Sequence, residues 1–310
     1  MKVVYLGSGD IGVPSLRWLI AAPQVELVMV VTQPDRAAGR GLSTKISETK
    51  RLALEGGIPL LQPPKLKEEV SALAALHPDL LVVMAYGQIL PQVLLDVPRL
   101  GALNLHASLL PRHRGAAPIH AAVLAGDKSS GVTAMWMDAG LDTGDILLLR
   151  ECLLSDEETA GTLHDRLAAL APEALAEALV LLAAGQAPRV PQDDEAATYA
   201  PKLDRAAGRI DWQQSAADIA RQVRALHPWP GCTATFALEN GKKVEVKLHA
   251  AVSLDGSAPA GQVGEALSVG CGGGGLLGVL ELQPAGGRRM KAEQFLRGHQ
   301  ISGAIVRQKV

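Results

Sequence analysis

Aromatic residues are scarce in this sequence. Phe, Tyr and Trp make up only 3% of the 310 residues, whereas hydrophobic residues as a whole reach 48%, so a core must be built mainly from aliphatic side chains. Cysteines are also few: Cys152, Cys232 and Cys271 lie far apart and form no C-x-x-C pair. Their number and spacing argue against a disulfide framework or a zinc knuckle and fit a reducing cytoplasm.

Long apolar runs are missing as well. No stretch approaches the ~18 uninterrupted apolar residues that would cross a bilayer, and the N-terminal residues do not form a basic region followed by an apolar segment. We therefore expect a cytoplasmic protein that has no membrane partner and is not exported.

The sequence also lacks the usual surroundings of an enzymatic nucleophile. It contains no G-x-S-x-G motif and no cysteine near a histidine. If the protein catalyses a group transfer, the attacking atom should therefore belong to a substrate.

Charge of neither sign dominates the whole chain, but its distribution is uneven. The net charge is −2, whereas the residues from Arg205 to Val310 hold 13 Lys and Arg against 8 Asp and Glu. A basic C-terminal third on an acidic remainder suggests contact with a polyanion. Ordinary surface scatter explains a difference of this size equally well.

The first half of the chain alternates apolar strand-like runs with helical stretches. This pattern predicts an α/β domain with a Rossmann-like, mostly parallel sheet and helices on both faces. Two further runs, Gly131–Met137 and Asp145–Glu151, predict an antiparallel addition at one side, and an Ala/Leu-rich helix follows over Glu157–Ala183. The other expected strands are Lys2–Leu6, Val25–Thr32, Asp79–Tyr86 and Ala102–Ala107, and the other expected helices are Pro14–Ala21, Ser47–Gly56 and Leu66–His77.

The amino-acid composition changes after residue 184. Residues 185–208 are rich in Pro, Gly and charge and predict a linker. A helix over Ser215–Leu226 and several short apolar runs between glycine clusters then predict a small β-barrel, with G-C-G-G-G-G as a hairpin turn. We expect a first domain over 1–184 and a second over 209–310.

A G-x-G-x-x-G motif stands near the start, formed by Gly7, Gly9 and Gly12, with Asp35 about twenty residues further on. This spacing is typical of a dinucleotide-binding loop and suggests a nicotinamide-dependent dehydrogenase. Pro14 argues against it, because the residue before a proline avoids the helical region and the helix should begin after the glycines. The glycines would then make room for a different ligand.

The densest polar chemistry lies at N-L-H-A-S-L-L-P-R-H-R-G, which begins at Asn104. Asn104 and His106 are two apart on a predicted strand, so both side chains face the same side. Two such donors can form an oxyanion hole for acyl transfer. A carboxylate that supports the imidazolium and accepts a proton should lie nearby, and among Asp138, Asp142 and Asp145 in the following D-A-G-L-D-T-G-D loop we expect Asp142 to supply it.

These strings together resemble the formyltetrahydrofolate-dependent formyltransferases. The resemblance rests on N-L-H-A-S-L-L-P-R-H-R-G and L-D-T-G-D-I-L, and further matches are T-Q-P-D-R-A-A-G-R-G, A-Y-G-Q-I-L-P and A-L-H-P-W-P-G-C. The similarity therefore covers nearly the whole chain, including the second domain. It implies an OB-like barrel for the second domain. It also implies formyl transfer from 10-formyltetrahydrofolate, without metal or NAD, to the amine of methionine on initiator tRNA.

The resemblance further implies roles for particular residues. The implied catalytic residues are Asn104, His106 and Asp142; the implied folate-binding residues are Ser108, Leu109, Leu110, Pro111, Tyr86 and Gly87; and the implied tRNA-binding residues are Arg36, Arg40, Lys202 and Arg205. The residues after Arg40 are less basic than the family pattern, which reduces the expected charge of that loop. A relative with a small amine acceptor, a dehydrogenase and a non-catalytic RNA-binding module remain as alternatives.

Overall fold

The computed structural model describes residues 1–35, 37–38, 43–44 and 46–305. Its helices and strands are, in chain order, β1 (Lys2–Gly7), α1 (Val13–Ala21), β2 (Glu26–Val31), β3 (Ala37–Ala38), β4 (Ser43–Thr44), α2 (Glu48–Glu55), β5 (Leu60–Leu61), α3 (Val70–Ala74), β6 (Leu80–Met84), α4 (Gln92–Leu95), β7 (Ala102–His106), β8 (Arg114–Gly115), α5 (Pro118–Ala125), β9 (Ser129–Trp136), β10 (Ile146–Leu153), α6 (Ala160–Ala183), β11 (Tyr199–Ala200), α7 (Ala216–Ala225), β12 (Cys232–Leu238), β13 (Lys243–Leu254), β14 (Ser268–Gly270), β15 (Leu276–Pro284), β16 (Met290–Lys291), α8 (Ala292–Leu296) and β17 (Ile301–Ile305). None of the helices in these ranges combines the length and apolar character needed to cross a membrane.

The chain divides into two compact units. The first comprises Met1–Pro118, Ser129–Leu153 and His164–Ala200, and the second comprises Ile119–Lys128, Leu154–Leu163 and the chain from Pro201 onward. The sequence boundaries after 184 and 208 stay predictions. Within the predicted linker, residues up to Ala200 belong to the first unit, where β11 pairs with β8.

The first unit is built on a seven-stranded sheet with the order β10-β9-β7-β6-β1-β2-β5. The five strands from β7 to β5 run parallel, whereas β9 and β10 add to the edge in antiparallel pairing. The central strands are apolar throughout because both faces are covered: all five residues of β6 are buried. The predicted α/β class, with its antiparallel addition, is confirmed.

Side-chain alternation separates the two faces of this sheet. Val4 and Leu6 of β1 share one core with residues from α3 and α4. Tyr5 lies on the opposite face, where its hydroxyl reaches the backbone immediately before α1. Helical elements therefore cover both faces.

The second unit is an antiparallel sheet of order β14-β15-β13-β12-β17, with β16 paired to β15. Its two ends meet at Val263, which bridges Val269 of β14 and donates its amide to the Gly303 carbonyl of β17. The core of the unit includes Phe236 and Phe295, two of the few aromatic residues. This antiparallel second domain and the glycine-rich turn between β14 and β15 agree with the predictions.

Candidate active site

Strand β7 places Asn104 and His106 on the same face of the sheet. Asn104 pairs in parallel register with Val83 of β6 and is half-buried, and His106, the last residue of β7, is only 6% exposed. Because side chains in register on parallel strands point to the same face, both polar groups continue the apolar row that includes Val83. Polar side chains in such a row need partners, and the structure supplies them from two loops.

The first of these loops connects β9 to β10 and carries Asp142. Asp138 shapes it, because its carboxylate accepts from the Gly140 amide at 3.0 Å and from the Thr143 hydroxyl at 2.8 Å. Asp142 itself has a φ of 55°, in the left-handed region that non-glycine residues rarely adopt. Asp138 therefore stabilises the turn of this loop, and the Asp142 side chain points toward β7.

Asn104, His106 and Asp142 converge. The Asn104 Nδ2 donates to Asp142 Oδ1 at 3.4 Å, and His106 Nδ1 lies 3.7 Å from Asp142 Oδ2. The same Oδ2 accepts a shorter hydrogen bond, 2.8 Å, from the backbone amide of Gly115. The carboxylate is thus oriented by a backbone donor, and it faces both polar side chains of β7.

The protonation pattern of His106 follows from its other nitrogen. Its Nε2 lies 2.9 Å from the carbonyl oxygen of His113, which can only accept, so Nε2 carries a hydrogen. Nδ1 can therefore donate only when the ring is an imidazolium. With the ring in that form, the site holds two donors, Asn104 Nδ2 and His106 Nδ1, beside the Asp142 carboxylate.

The segment after β7 is tied to β9 by Thr133. The Thr133 hydroxyl donates to the Ser108 carbonyl at 2.6 Å and accepts from the Leu110 amide at 3.0 Å. The Ser108 hydroxyl is used internally, since it donates to the Arg112 carbonyl at 2.7 Å. Leu110 is buried, whereas Leu109 and Pro111 are half-buried. Of the predicted folate-binding residues in this segment, Leu109 and Pro111 are therefore the two with exposed surface that a ligand could contact.

Tyr86 and Gly87 follow β6 and differ in exposure. The Tyr86 side chain is 2% exposed and packs in the core, and this burial raises the pKa of Tyr86 to about 12. Gly87 is exposed with a φ of 84°, and Ile89 is 89% exposed. The segment thus presents backbone at Gly87 and an apolar side chain at Ile89.

The predicted tRNA-binding residues are only partly described. Lys202 and Arg205 are exposed on the second unit, whereas Arg36 and Arg40 lie outside the described residues. Across the described ranges, no group of three or more His, Cys, Asp and Glu side chains is arranged to hold a metal ion.

The glycine motif near the start is closed by internal hydrogen bonds. The amides of Ser8 and Gly9 both donate to the Ala85 carbonyl, at 3.2 and 3.1 Å, and the Gly12 amide donates to Gly9. A dinucleotide loop would instead direct such amides at a pyrophosphate. The Asp35 carboxylate accepts a hydrogen bond from Lys50 Nζ at 2.5 Å, which is the main cause of the lowered pKa of Asp35. Both the glycine loop and the acidic residue of the dinucleotide motif are therefore used in contacts within the protein.

Tyr5 explains why glycine stands at two of these positions. A Cβ on Gly12 would lie 2.2 Å from the Tyr5 hydroxyl oxygen, and one on Gly7 would lie 2.4 Å from it. The group that approaches the loop backbone closely is therefore a side chain of the protein itself. Helix α1 begins at Val13, one residue before the predicted start at Pro14.

Sequence reasoning missed several residues that support the site. Thr133, His113 and Gly115 act through hydroxyl or backbone atoms, and the R-H-R-G string was the only signal for the last two. Gln192 lies in the predicted linker, yet its Nε2 donates to the Asp142 carbonyl at 2.9 Å and to the Gly144 carbonyl at 2.7 Å. The composition around Gln192 does not indicate a role in the site.

This fold and site belong to a class of formyl-transferring enzymes. The family model described as formyl transferase matches residues 1–179, and the model described as formyl transferase, C-terminal domain, matches residues 202–300. The chain therefore belongs to the formyl transferase family, as the sequence motifs predicted.

The relatives narrow the class further. The chain is 46% identical to the methionyl-tRNA formyltransferase of Methylococcus capsulatus, over 98% of each chain. It is 48% identical to the methionyl-tRNA formyltransferase of Pseudomonas fluorescens, over 98% of this chain and 96% of the relative. Both of these methionyl-tRNA formyltransferases thus match this chain over nearly its whole length.

Solved structures show the same fold at low identity. An N-formyltransferase from Helicobacter canadensis is 16% identical with a TM-score of 0.65, over 90% of this chain and 99% of that one. HypX from Aquifex aeolicus, solved in complex with tetrahydrofolic acid, is 18% identical with a TM-score of 0.61 over all of this chain. The chain spans about half the length of HypX.

Proposed function

We propose that this protein transfers the formyl group of 10-formyltetrahydrofolate to the α-amine of methionine esterified to initiator tRNA, in the cytoplasm. The observation that carries the proposal is the convergence of Asn104, His106 and Asp142, in a member of the formyl transferase family whose full-length relatives are methionyl-tRNA formyltransferases. Bound in the site, the folate supplies the formyl carbon and leaves as tetrahydrofolate with a proton on N10.

Asn104 and His106 act on the formyl oxygen. As the amine nitrogen attacks the formyl carbon, negative charge develops on this oxygen. Asn104 Nδ2 and the Nδ1–H of the His106 imidazolium donate to it, and such preorganised donors are the main electrostatic device of acyl transfer. The His113 carbonyl fixes the ring so that Nδ1 is the nitrogen left to donate.

Asp142 has two roles, one as a general base and one as a counter-ion to His106. Its carboxylate stabilises the imidazolium of His106 and accepts the proton that the attacking amine loses as the new C–N bond forms, directly or through water. The Gly115 amide, 2.8 Å from Oδ2, keeps the carboxylate in place. Catalytic contacts commonly shorten when the reacting complex forms, and we expect the 3.7 Å between Asp142 Oδ2 and His106 Nδ1 to do so.

Exposed apolar side chains on two loops support the proposed binding of a folate. A flat heteroaromatic ring needs apolar walls and backbone hydrogen-bond partners. Ile89 and Leu141, on the loops after β6 and after β9, are 89% and 61% exposed, and the Gly87 backbone is uncovered beside Ile89. The segments 86–87 and 108–111 would hold the folate between them.

The second unit would bind the acceptor. Lys202 and Arg205 are exposed there, in the basic third of the sequence, and would contact tRNA phosphates. Arg36 and Arg40 would contact the acceptor end.

The catalytic assignment is tested by Asn104→Ala and Asp142→Ala, assayed at saturating formyl donor and charged initiator tRNA. Each variant is expected to lower kcat by on the order of 10² or more, the scale for one oxyanion donor or one general base. Asn240→Ala, at an exposed turn, and Asp96→Ala, at the end of α4, are the matched controls and should keep kcat. Turnover near that of the unmodified protein in either site variant contradicts the assignment.

A further inference from the structure

Gln192 links the two parts of the chain that orient Asp142. Its side-chain amide Nε2 donates to the Asp142 carbonyl at 2.9 Å and to the Gly144 carbonyl at 2.7 Å. Its Oε1 accepts from Arg114 Nε at 3.0 Å. Both the nitrogen and the oxygen of this half-buried amide are thus hydrogen-bonded. The partners determine its orientation, with Nε2 toward the two carbonyls and Oε1 toward Arg114.

These contacts form a closed ring. From the Asp142 carbonyl the ring passes through the Gln192 amide to the Arg114 side chain, along the backbone to the Gly115 amide, and back to Asp142 Oδ2 at 2.8 Å. Arg114 is well held, since it is 2% exposed and Nη2 donates to Asp194 at 2.8 Å. The ring therefore connects the main chain of Asp142 to its own carboxylate through Gln192 and strand β8.

Asp142 needs such support because of its backbone. Its φ of 55° is unusual for a residue other than glycine and persists only where the surroundings determine it. We propose that Gln192 is a positioning residue for formyl transfer: it holds the Asp142 loop so that the carboxylate faces Asn104 and His106. This inference rests on the proposed role of Asp142 in catalysis.

The chemistry of the amide makes the proposal testable. Gln192→Glu keeps the size but turns a carboxylate oxygen toward two carbonyl oxygens, which repels the loop. Gln192→Met keeps the length and removes all three hydrogen bonds. Both variants should displace Asp142 without touching a substrate.

Both variants are expected to lower kcat by about 10- to 100-fold, as a displacement near 1 Å does in a positioned site. The KM values for 10-formyltetrahydrofolate and for methionyl-tRNA should stay within about twofold of the unmodified protein. In single-turnover assays, Gln192→Met added to Asp142→Asn should change the rate less than about twofold, because the residue it positions is already inactive.

Gln222→Met is the matched control. Gln222, in the second unit, also bridges two backbone carbonyls, those of Ala207 and Arg209, so its loss measures the general cost of such an amide without acting on Asp142, and kcat should be unchanged. A kcat within twofold of the unmodified protein for both Gln192 variants, an equal loss in the Asp142→Asn background, or a change in KM alone would overturn the inference. Failure of the unmodified protein to formylate methionyl-tRNA, or full activity of Asp142→Asn, would instead contradict the proposed function.

Discussion

Tyr5 shows how one side chain can create the appearance of a cofactor motif. Its ring lies under the loop after β1, and its hydroxyl donates to the Gly12 carbonyl at 2.9 Å. Gly12 and Gly7 are required by this ring, whereas a Cβ on Gly9 would lie 2.9 Å from the Ala85 side chain. The spacing of a dinucleotide loop therefore arises here from internal packing.

Gly12→Ala should destabilise the protein by about 1–3 kcal/mol, the usual cost of overpacking, and Tyr5→Phe should rescue it. Without the Tyr5 hydroxyl, the nearest atom to the new methyl group is the Met84 carbonyl oxygen at 3.4 Å. Gly7→Ala is the control, because its Cβ would also meet ring carbons of Tyr5 at 2.6 Å, which Phe retains. Urea denaturation of the single and double variants measures the coupling, and equal rescue at both glycines would contradict this packing account.

For individual residues, the sequence predicts the catalytic side chains but not the backbone atoms that hydrogen-bond to them. Asn104 and His106 could be paired because strand periodicity puts them on one face, and Asp142 could be singled out within its loop. The His113 carbonyl and the Gly115 amide could not be predicted, because every residue carries such groups and only the fold decides which ones point inward. Gln192 contacts the site across about fifty residues of sequence, a distance that no local pattern spans.

Two very short strands, β8 and β11, help to position Asp142. Strands β8 and β11 have two residues each and pair in parallel, Arg114 with Tyr199 and Gly115 with Ala200. Gly115 has a φ of 113°, and a Cβ there would lie 2.7 Å from the Ala200 carbonyl oxygen. Glycine is therefore needed both for the backbone conformation and for the approach of β11.

Gly115→Ala should part β8 from β11 and move the Gly115 amide away from Asp142. We expect kcat for formyl transfer to fall by about tenfold or more, since the carboxylate loses its backbone donor. Gly185→Ala is the control: its φ of 67° is also left-handed, but no atom lies within 4 Å of the new methyl group. It should cost about 1 kcal/mol of stability and leave kcat unchanged, and a Gly115→Ala enzyme with full turnover would show that this pairing does not position Asp142.

Elements with a strong pattern could be predicted, and those without one could not. Strands β1 and β6 are almost continuously apolar because helices cover both faces, and β7 is apolar apart from Asn104 and His106. The antiparallel β9 and β10 stand out as long runs around a turn. The pairing of β8 with β11 is invisible in sequence, because two residues show no period and Pro, Gly and charge around Tyr199 are typical of a linker.

On the scale of the whole molecule, the second unit carries a pH-sensitive pair. The rings of His227 and His249 meet edge to face with centroids 5.7 Å apart. Burial lowers the pKa of both below the usual 6.5, and the nearby Arg289 and Lys247 lower both pKa values further. Because the unfolded chain then binds more protons near and just below pH 6.5, the pair's contribution to stability falls as the pH drops through that range.

The free energy of unfolding of the full chain should therefore fall between pH 7.5 and 5.5, and the fall should be smaller in the double variant His227→Gln, His249→Gln. Urea denaturation at the two pH values gives the difference. An undiminished fall in the double variant would show that the pair does not contribute.

The converging Asn104, His106 and Asp142 should transfer the formyl group to methionine on initiator tRNA. The most direct measurement incubates the protein with radiolabelled 10-formyltetrahydrofolate and one acceptor at a time: methionyl-initiator tRNA, uncharged initiator tRNA, or an amino-sugar nucleotide. Label is expected on the methionyl-tRNA alone, released as N-formylmethionine when the ester is hydrolysed. Label on the amino-sugar nucleotide, with none on methionyl-tRNA, would show that the protein formylates a different acceptor.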